Sequence, residues 1–303
     1  MTEKMEDYAS KSLGDSTSYA IYTDKFDSSL LVRMPRELAR KDWDIVGDEF
    51  KGFDVWHCRE STFLTNKGLP VAGTLKFGYQ SDSKWMVESK SMKLYLNSFD
   101  MCKMSDGVHS SISKYVNQVR EDLSKLLETD VVVFFHQEGT ETESVVEEYH
   151  DLYDLVDIES LEIDYSVKNN SDYLESIDIK QVKEDKYELK VFTNVLRSRC
   201  RHTKQKDTGS AYFHIKCTNR TITLDGLLRY IISFREQNEF HEFLAEKFIC
   251  DIKKVEGVTD VMVMLLYARR GSLDINPVRT TDLSMIPIEL HQVNVLTEKT
   301  QIQ

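Results

Sequence analysis

Cys200 and Asp207 stand seven residues apart within residues 195–214, VLRSRCRHTKQKDTGSAYFH. Arg199, Arg201 and His202 flank the cysteine. Nearby positive charge favours the thiolate, the nucleophilic form of the side chain. An aspartate at the far end of a short loop can fold back to donate or accept a proton. Two residues alone fit a buried structural cysteine and a turn aspartate as well, because free cysteine is among the most buried residue types.

Three further clusters carry polar chemistry. Glu239-Phe240-His241-Glu242 opens a helical stretch, and the HExxH zinc pattern is absent from it. Acids also suit a first helical turn, where they meet the positive end of the dipole. Glu88-Ser89-Lys90-Ser91-Met92-Lys93 places two lysines and two serines at a helix entrance. Such an entrance can cradle phosphate, or can simply be capped and solvated. Arg269-Arg270-Gly271 ends a strand-like run, where paired arginines offer an anion site or mark a turn.

The elements that must position these groups are legible in the periodicities. Residues 53–58, 70–79 and 85–88 read as strands, with Leu75, Phe77 and Tyr79 alternating. The second half of 88–99 reads as helix. Residues 110–127 form a longer one, because Ile112, Tyr115, Val116, Val119, Leu123 and Leu126 recur at helical spacing. Val131-Val-Val-Phe-Phe135 is a buried strand. Residues 138–185 are acidic and cross to a second set: strands 187–196 and 210–217, helices 224–235 and 239–253, strand 260–269. A shift of 135 residues lays Tyr95-Leu-Asn-Ser-Phe99 on Tyr230-Ile-Ile-Ser-Phe234. The chain therefore carries a duplicated strand-strand-helix-helix-strand unit. The fold class is α+β, two tandem modules of antiparallel sheet with helices on one face. Residues 1–48 are expected to be an extended N-terminal arm, 49–165 the first module and 166–303 the second.

Composition narrows the function classes. The chain has 303 residues, 41% hydrophobic and 30% charged, ordinary for a globular protein of two modules. A net charge of −12 argues against direct nucleic-acid binding. The five cysteines show no CxxC spacing, which points to a reducing compartment and no metal site. No signal peptide or membrane span is expected, so the location is expected to be cytoplasmic.

The clusters taken in order resemble one family, the NADPH-dependent 7-cyano-7-deazaguanine reductases (nitrile reductases of queuosine biosynthesis), in their long two-module form. E-S-K-S-x-K-x-Y stands at 88–95 and C-x-x-T-x-Q-x-D at Cys200, Thr203, Gln205 and Asp207. F-R-x-x-N-E-F-H-E stands at 234–242, and the segment from Arg269 to Pro277 matches R-R-G-x-L-D-I-N-P. The resemblance implies the tunnelling fold and a covalent thioimide on Cys200. It implies Asp207 as proton donor, with His241 assisting. It implies a 7-cyano-7-deazaguanine substrate held by Glu88, Ser89, Lys90, His241 and Glu242, with Glu88 reaching it across a module or subunit boundary. It places NADPH at Lys90, Ser91, Arg270 and Gly271, and it implies a homodimer. The chain departs from the family pattern at Lys206, Thr208, the pair Arg201-His202, and Gly271-Ser272. A thioimide-forming amidinotransferase and a nonenzymatic deazapurine-binding protein are the competing expectations. The intact 88–95 segment speaks against the first. The joint presence of Cys200, Asp207, His241 and Glu242 speaks against the second.

Overall fold

Leu75, Phe77 and Tyr79 lie buried along one side of a strand, as their period of two requires. The computed structural model of the protein describes residues 25–45, 49–159, 164–165, 171–178, 187–300 and 303. Its main sheet has eight strands: β1 (Lys51–Leu64), β2 (Pro70–Gln80), β3 (Val131–Gln137), β4 (His150–Asp151), β5 (Tyr187–Arg199), β6 (Lys206–Cys217), β7 (Val258–Tyr267) and β8 (Leu273–Thr280). Their order is β3-β2-β1-β8-β7-β6-β5-β4. Neighbours are antiparallel except for the two-residue edge strand β4 on β5. The longer helices are α1 (Arg36–Asp42), α2 (Ser89–Asn97), α3 (Val108–Leu127), α4 (Leu224–Ile232) and α5 (His241–Lys253).

The expected repeat is present as β1-β2-α2-α3-β3 followed by β5-β6-α4-α5-β7. Its side chains repeat too. Tyr95 Oη donates to Asp122 at 2.7 Å, and Tyr230 Oη donates to Asp251 at 2.6 Å. Phe99 meets the Tyr95 ring edge-on, as Phe234 meets that of Tyr230. Ser98 and Ser233 each donate back to the tyrosine carbonyl three residues earlier.

Helices α2–α5 cover one face of the sheet. On α3 the buried stripe is Ser111, Tyr115, Val119, Leu123 and Leu127, four residues apart each time. Ile112, Val116 and Leu126 pack at its margins. On the opposite face Tyr212, Met262, Met264 and Val278 pack under Met285, Ile286 and Leu290. Full burial of side chains of this size contributes roughly 1.5–3 kcal/mol each.

The two units join through β8, which the periodicity does not reveal. It pairs with β1 over its whole length and with β7 over Val278–Thr280. Asp274, Asn276 and Pro277 are poor strand formers, which masks it in the sequence. They are accommodated because Asp274 accepts from Arg59 at 2.7 Å and Asn276 at 2.7 Å, and lies 2.6 Å from His57 Nδ1.

Of the expected arm, residues 1–24 and 46–48 lie outside the described residues. The described part is not extended throughout, because α1 is a helix. It lies across the seam, where buried charges alternate. Arg36 pairs with Asp54 at 2.5 Å, Arg279 with Asp54 at 2.8 Å and with Glu246 at 3.1 Å, and Arg40 with Glu246 at 2.8 Å. The acidic crossing supplies β4, and its turn signal at Asn169-Asn170 lies outside the described residues. No helix among the described residues is long and apolar enough to cross a membrane.

Candidate active site

The hairpin β5–β6 brings the two ends of the Cys200 loop together. Arg199 pairs with Lys206 and Ser198 with Asp207 in the ladder. The Cys200 N–H donates to the Gln205 carbonyl at 2.8 Å, and Lys204 closes the turn with a φ of 59°. Cys200, Thr203, Gln205 and Asp207 all line one cavity of about 340 Å³. The expected basic setting of the thiol is tempered, because Arg199 pairs with Glu236, and Arg201 with Glu239 and Asp42.

His241 is the first residue of α5 and lines the same cavity. Its ring lies flat on that of Tyr267, at the end of β7, with centroids 3.5 Å apart and planes 5° apart. This stacking presents Nε2 to Asp207 Oδ2 at 3.5 Å. The other oxygen of Asp207 meets Arg270 Nη1 at 3.0 Å, and Arg270 also donates to Gln205. His241 Nδ1 is buried with no hydrogen-bond partner among the described residues. Glu242 Oε1 is in the same condition. Burial pushes the Glu242 carboxyl up to about 8, and the negative charge of Asp54 adds to the effect.

The opposite wall comes from the first unit of the same chain. Glu88 caps α2, accepting from the Lys90 N–H at 2.9 Å and the Ser91 N–H at 2.7 Å. That cap makes the whole segment from Ser89 helical, one turn earlier than its periodicity indicates. Oε1 also accepts from Ser89 Oγ at 3.4 Å, and Oε2 keeps a second acceptor direction for a ligand. The boundary that Glu88 spans is thus the one between the units of one chain. Trp56, Phe240, Met34, Met86 and Ile275 complete the walls. Flat apolar surfaces with convergent carboxylates suit a planar heterocycle that carries N–H donors.

Ser89, Lys90, Arg270 and Gly271 also line the cavity. Ser91 does not. Its hydroxyl is buried, accepts from the Val32 N–H at 3.0 Å and donates to the Glu88 carbonyl at 2.7 Å. Because Glu88 takes the first N–H groups of α2, this segment would meet a phosphate through its lysine charges. Lys90 and Lys93 line the cavity, and neither side chain has an ion-pair partner among the described residues. Gly271 has a φ of +66°, and a Cβ there would meet Lys93 Nζ at 2.5 Å. These cations fit the phosphates of a dinucleotide. Lys93 and Glu239 stand inside the clusters at 88–93 and 239–242, and sequence alone assigns neither a role of its own.

Residues 22–135 match the family model described as nitrile reductase, 7-cyano-7-deazaguanine-reductase N-term, and residues 207–284 match one described as QueF-like protein. The NADPH-dependent 7-cyano-7-deazaguanine reductase of Coxiella burnetii (strain CbuK_Q154) is 36% identical over 274 residues, covering 89% of this chain and 91% of that one. The chain belongs to the 7-cyano-7-deazaguanine reductase family of nitrile reductases.

Proposed function

We propose that the chain reduces the nitrile of 7-cyano-7-deazaguanine to an aminomethyl group with NADPH, through a thioimide on Cys200. The observation that carries this reading is the convergence of Cys200, Asp207 and His241 with Glu88 and Glu242 on one cavity. The carboxylates of Glu88 and Glu242 accept the N–H groups of the base, with Ser89, Lys90 and His241 beside them. The Cys200 sulfur adds to the nitrile carbon, one C–N π bond opens, and the nitrogen takes a proton from the Asp207–His241 pair. The resulting C(=NH)–S carbon accepts hydride where a bare nitrile is poor at it. The reduced nicotinamide supplies the hydrides, one per NADPH, so two NADPH are consumed. Between them the C–S bond breaks, the thiolate leaves, and an imine carbon remains for the second hydride. Asp207 and His241 return a proton to nitrogen at each stage. Lys90, Arg270 and Gly271, joined by Lys93, hold the cofactor. Ser91 serves them by seating the start of α2.

We further take residues 49–165 and 166–303 as two tunnelling-fold modules behind an arm at 1–48. The repeated element order supports that division. A cytoplasmic homodimer completes the reading. Its support is the edge strand β3, whose Val132 is 53% and Phe134 41% exposed.

The deciding experiment mixes the protein with 7-cyano-7-deazaguanine and records an intact mass, then adds NADPH. The expected result is a mass gain at Cys200 followed by oxidation of two NADPH per base. NADPH oxidation by Cys200→Ala would overturn the mechanism. An adduct without NADPH oxidation would move the chain to the amidinotransferase reading.

A further inference from the structure

Arg201 is a position where the chain departs from the family pattern, and the residue is 8% exposed. Its guanidinium pairs with Glu239, Nη1 to Oε2 at 3.2 Å, and with Asp42. Glu239 is 2% exposed and also accepts from Trp43 Nε1 and, at 2.9 Å, from the Phe240 N–H. The backbone before the nucleophile is held by the same segment. The Arg199 N–H donates to the Gln237 carbonyl at 2.8 Å, and the Glu239 N–H donates to the Arg199 carbonyl at 2.9 Å. Cys200 is therefore gripped on both sides by residues 237–239, two residues before His241.

Asp42 ends α1, and Trp43 follows it. The rest of α1 is fastened to the first unit and, through Arg40 on Glu246, to α5. Arg36 Nε donates to Ser83 Oγ at 3.1 Å, Arg40 Nη2 donates to the Ser81 carbonyl at 2.8 Å, and Arg36 pairs with Asp54. Ser81 and Ser83 lie in the loop that leads to Glu88. The helix thus connects the wall that presents Glu88 with the loop that carries Cys200.

We propose that Asp42, Glu239 and Arg201 are positioning residues for the Cys200 thiol. Acting through Arg201, they hold the nucleophile at a fixed place relative to the base seated against Glu88. This rests on the thioimide reading above. A misplacement of the order of 1 Å at a reacting atom is enough to cost a large rate factor. A clasp that crosses the seam ties that distance to α1 rather than to the hairpin alone. A merely structural role would appear as lost stability with the thiol's reactivity unchanged.

The test uses Asp42→Asn and Arg201→Met in the full chain, alone and together. The Asp42 side chain is 50% exposed, so its variant keeps the core intact. Two quantities are read. One is the rate of Cys200 adduct formation with 7-cyano-7-deazaguanine, without NADPH. The other is the affinity for the base when each substitution is placed in a Cys200→Ala background. Each single variant is expected to slow adduct formation about tenfold and leave the affinity unchanged. The double variant is expected to be no slower than Arg201→Met, because both act through one contact. Arg201→Lys is expected to restore part of the rate. Unchanged adduct rates, or equal losses of rate and affinity, would overturn the proposal while leaving the thioimide reading in place. A wild-type protein that forms no adduct would remove both.

Discussion

Glu242 keeps a carboxyl where burial favours the neutral form, and this is where residue-scale physics meets function. Its pKa is raised to about 8 by burial first and by Asp54 second, with Arg36 and Arg279 pulling the other way. A carboxyl raised above its ordinary 4.5 costs the fold nothing below that value. It costs stability increasingly as the pH rises toward about 8. A base that offers N–H donors prefers the carboxylate, so binding should expel the proton. We expect the binding enthalpy of 7-cyano-7-deazaguanine to Cys200→Ala protein at neutral pH to vary with the ionisation heat of the buffer, in the sense of proton release. Affinity should improve by up to about tenfold per pH unit until the pKa near 8 is passed. Glu242→Gln should abolish the buffer dependence; a wild-type enthalpy that ignores the buffer would contradict the assignment. A second expectation concerns the cations. Lys90→Ala should raise the KM for NADPH several-fold while adduct formation persists, and equal loss of both would mark it as structural. Residue types alone left Cys200, Asp207 and His241 open to structural readings, and what singled them out was their order within the four motifs. Residue types could not separate Lys90, which lines the cavity, from the neighbouring Ser91, whose hydroxyl is buried against Val32. That distinction depends on which way α2 faces.

Among the elements, those with a clean period were legible and those with a structural task at the seam were not. Helix α3 buries one side and solvates the other, and on strand β2 Leu75, Phe77 and Tyr79 keep their period of two although Lys76 and Gly78 on the opposite side are buried as well, so the apolar spacing shows through. Strand β8 instead carries Asp274, Asn276 and Arg279, whose partners come from β1, α5 and the C-terminal segment. Those partners are remote in sequence, so no local pattern announces the strand. The short α1 was missed for a similar reason, since its Arg36 and Arg40 are spent on buried carboxylates. The network they form can be tested directly. Arg279 and Arg36 hold the Asp54 carboxyl below its ordinary value, although burial pushes it upward. Its contribution is therefore present above its ordinary 3.8 and lost as the pH falls through the lowered value. Asp54→Ala leaves two buried guanidinium groups short of a counter-charge. We expect it to cost about 3–5 kcal/mol in denaturant unfolding; a loss below about 1 kcal/mol would mean that the seam is held by packing alone.

Across the whole molecule, charge is distributed against its own average. The chain carries a net −12, which at long range repels a polyanionic cofactor. Yet Lys90, Lys93 and Arg270 stand together on one cavity, and composition gives no sign of it. The unscreened range at physiological salt is about 8 Å, so a phosphate seated against Lys90 and Lys93 feels these two cations, which pair with no carboxylate among the described residues, before it feels the distant acidic surface, although Glu88, Asp207, Glu239 and Glu242 line the same cavity. Added salt should then weaken NADPH binding, because the local attraction is what is screened. The deazaguanine base carries no phosphate, and adduct formation at Cys200 should be nearly insensitive to salt. The two half-reactions can be measured separately, as NADPH binding by fluorescence and adduct formation by mass. We expect the logarithm of the NADPH dissociation constant to rise with the logarithm of salt concentration. Lys90→Ala combined with Lys93→Ala should flatten that slope and leave the adduct rate where it was. A slope that survives the double substitution would place the phosphates elsewhere on the surface, with Arg269 and Lys299 the next cations to substitute.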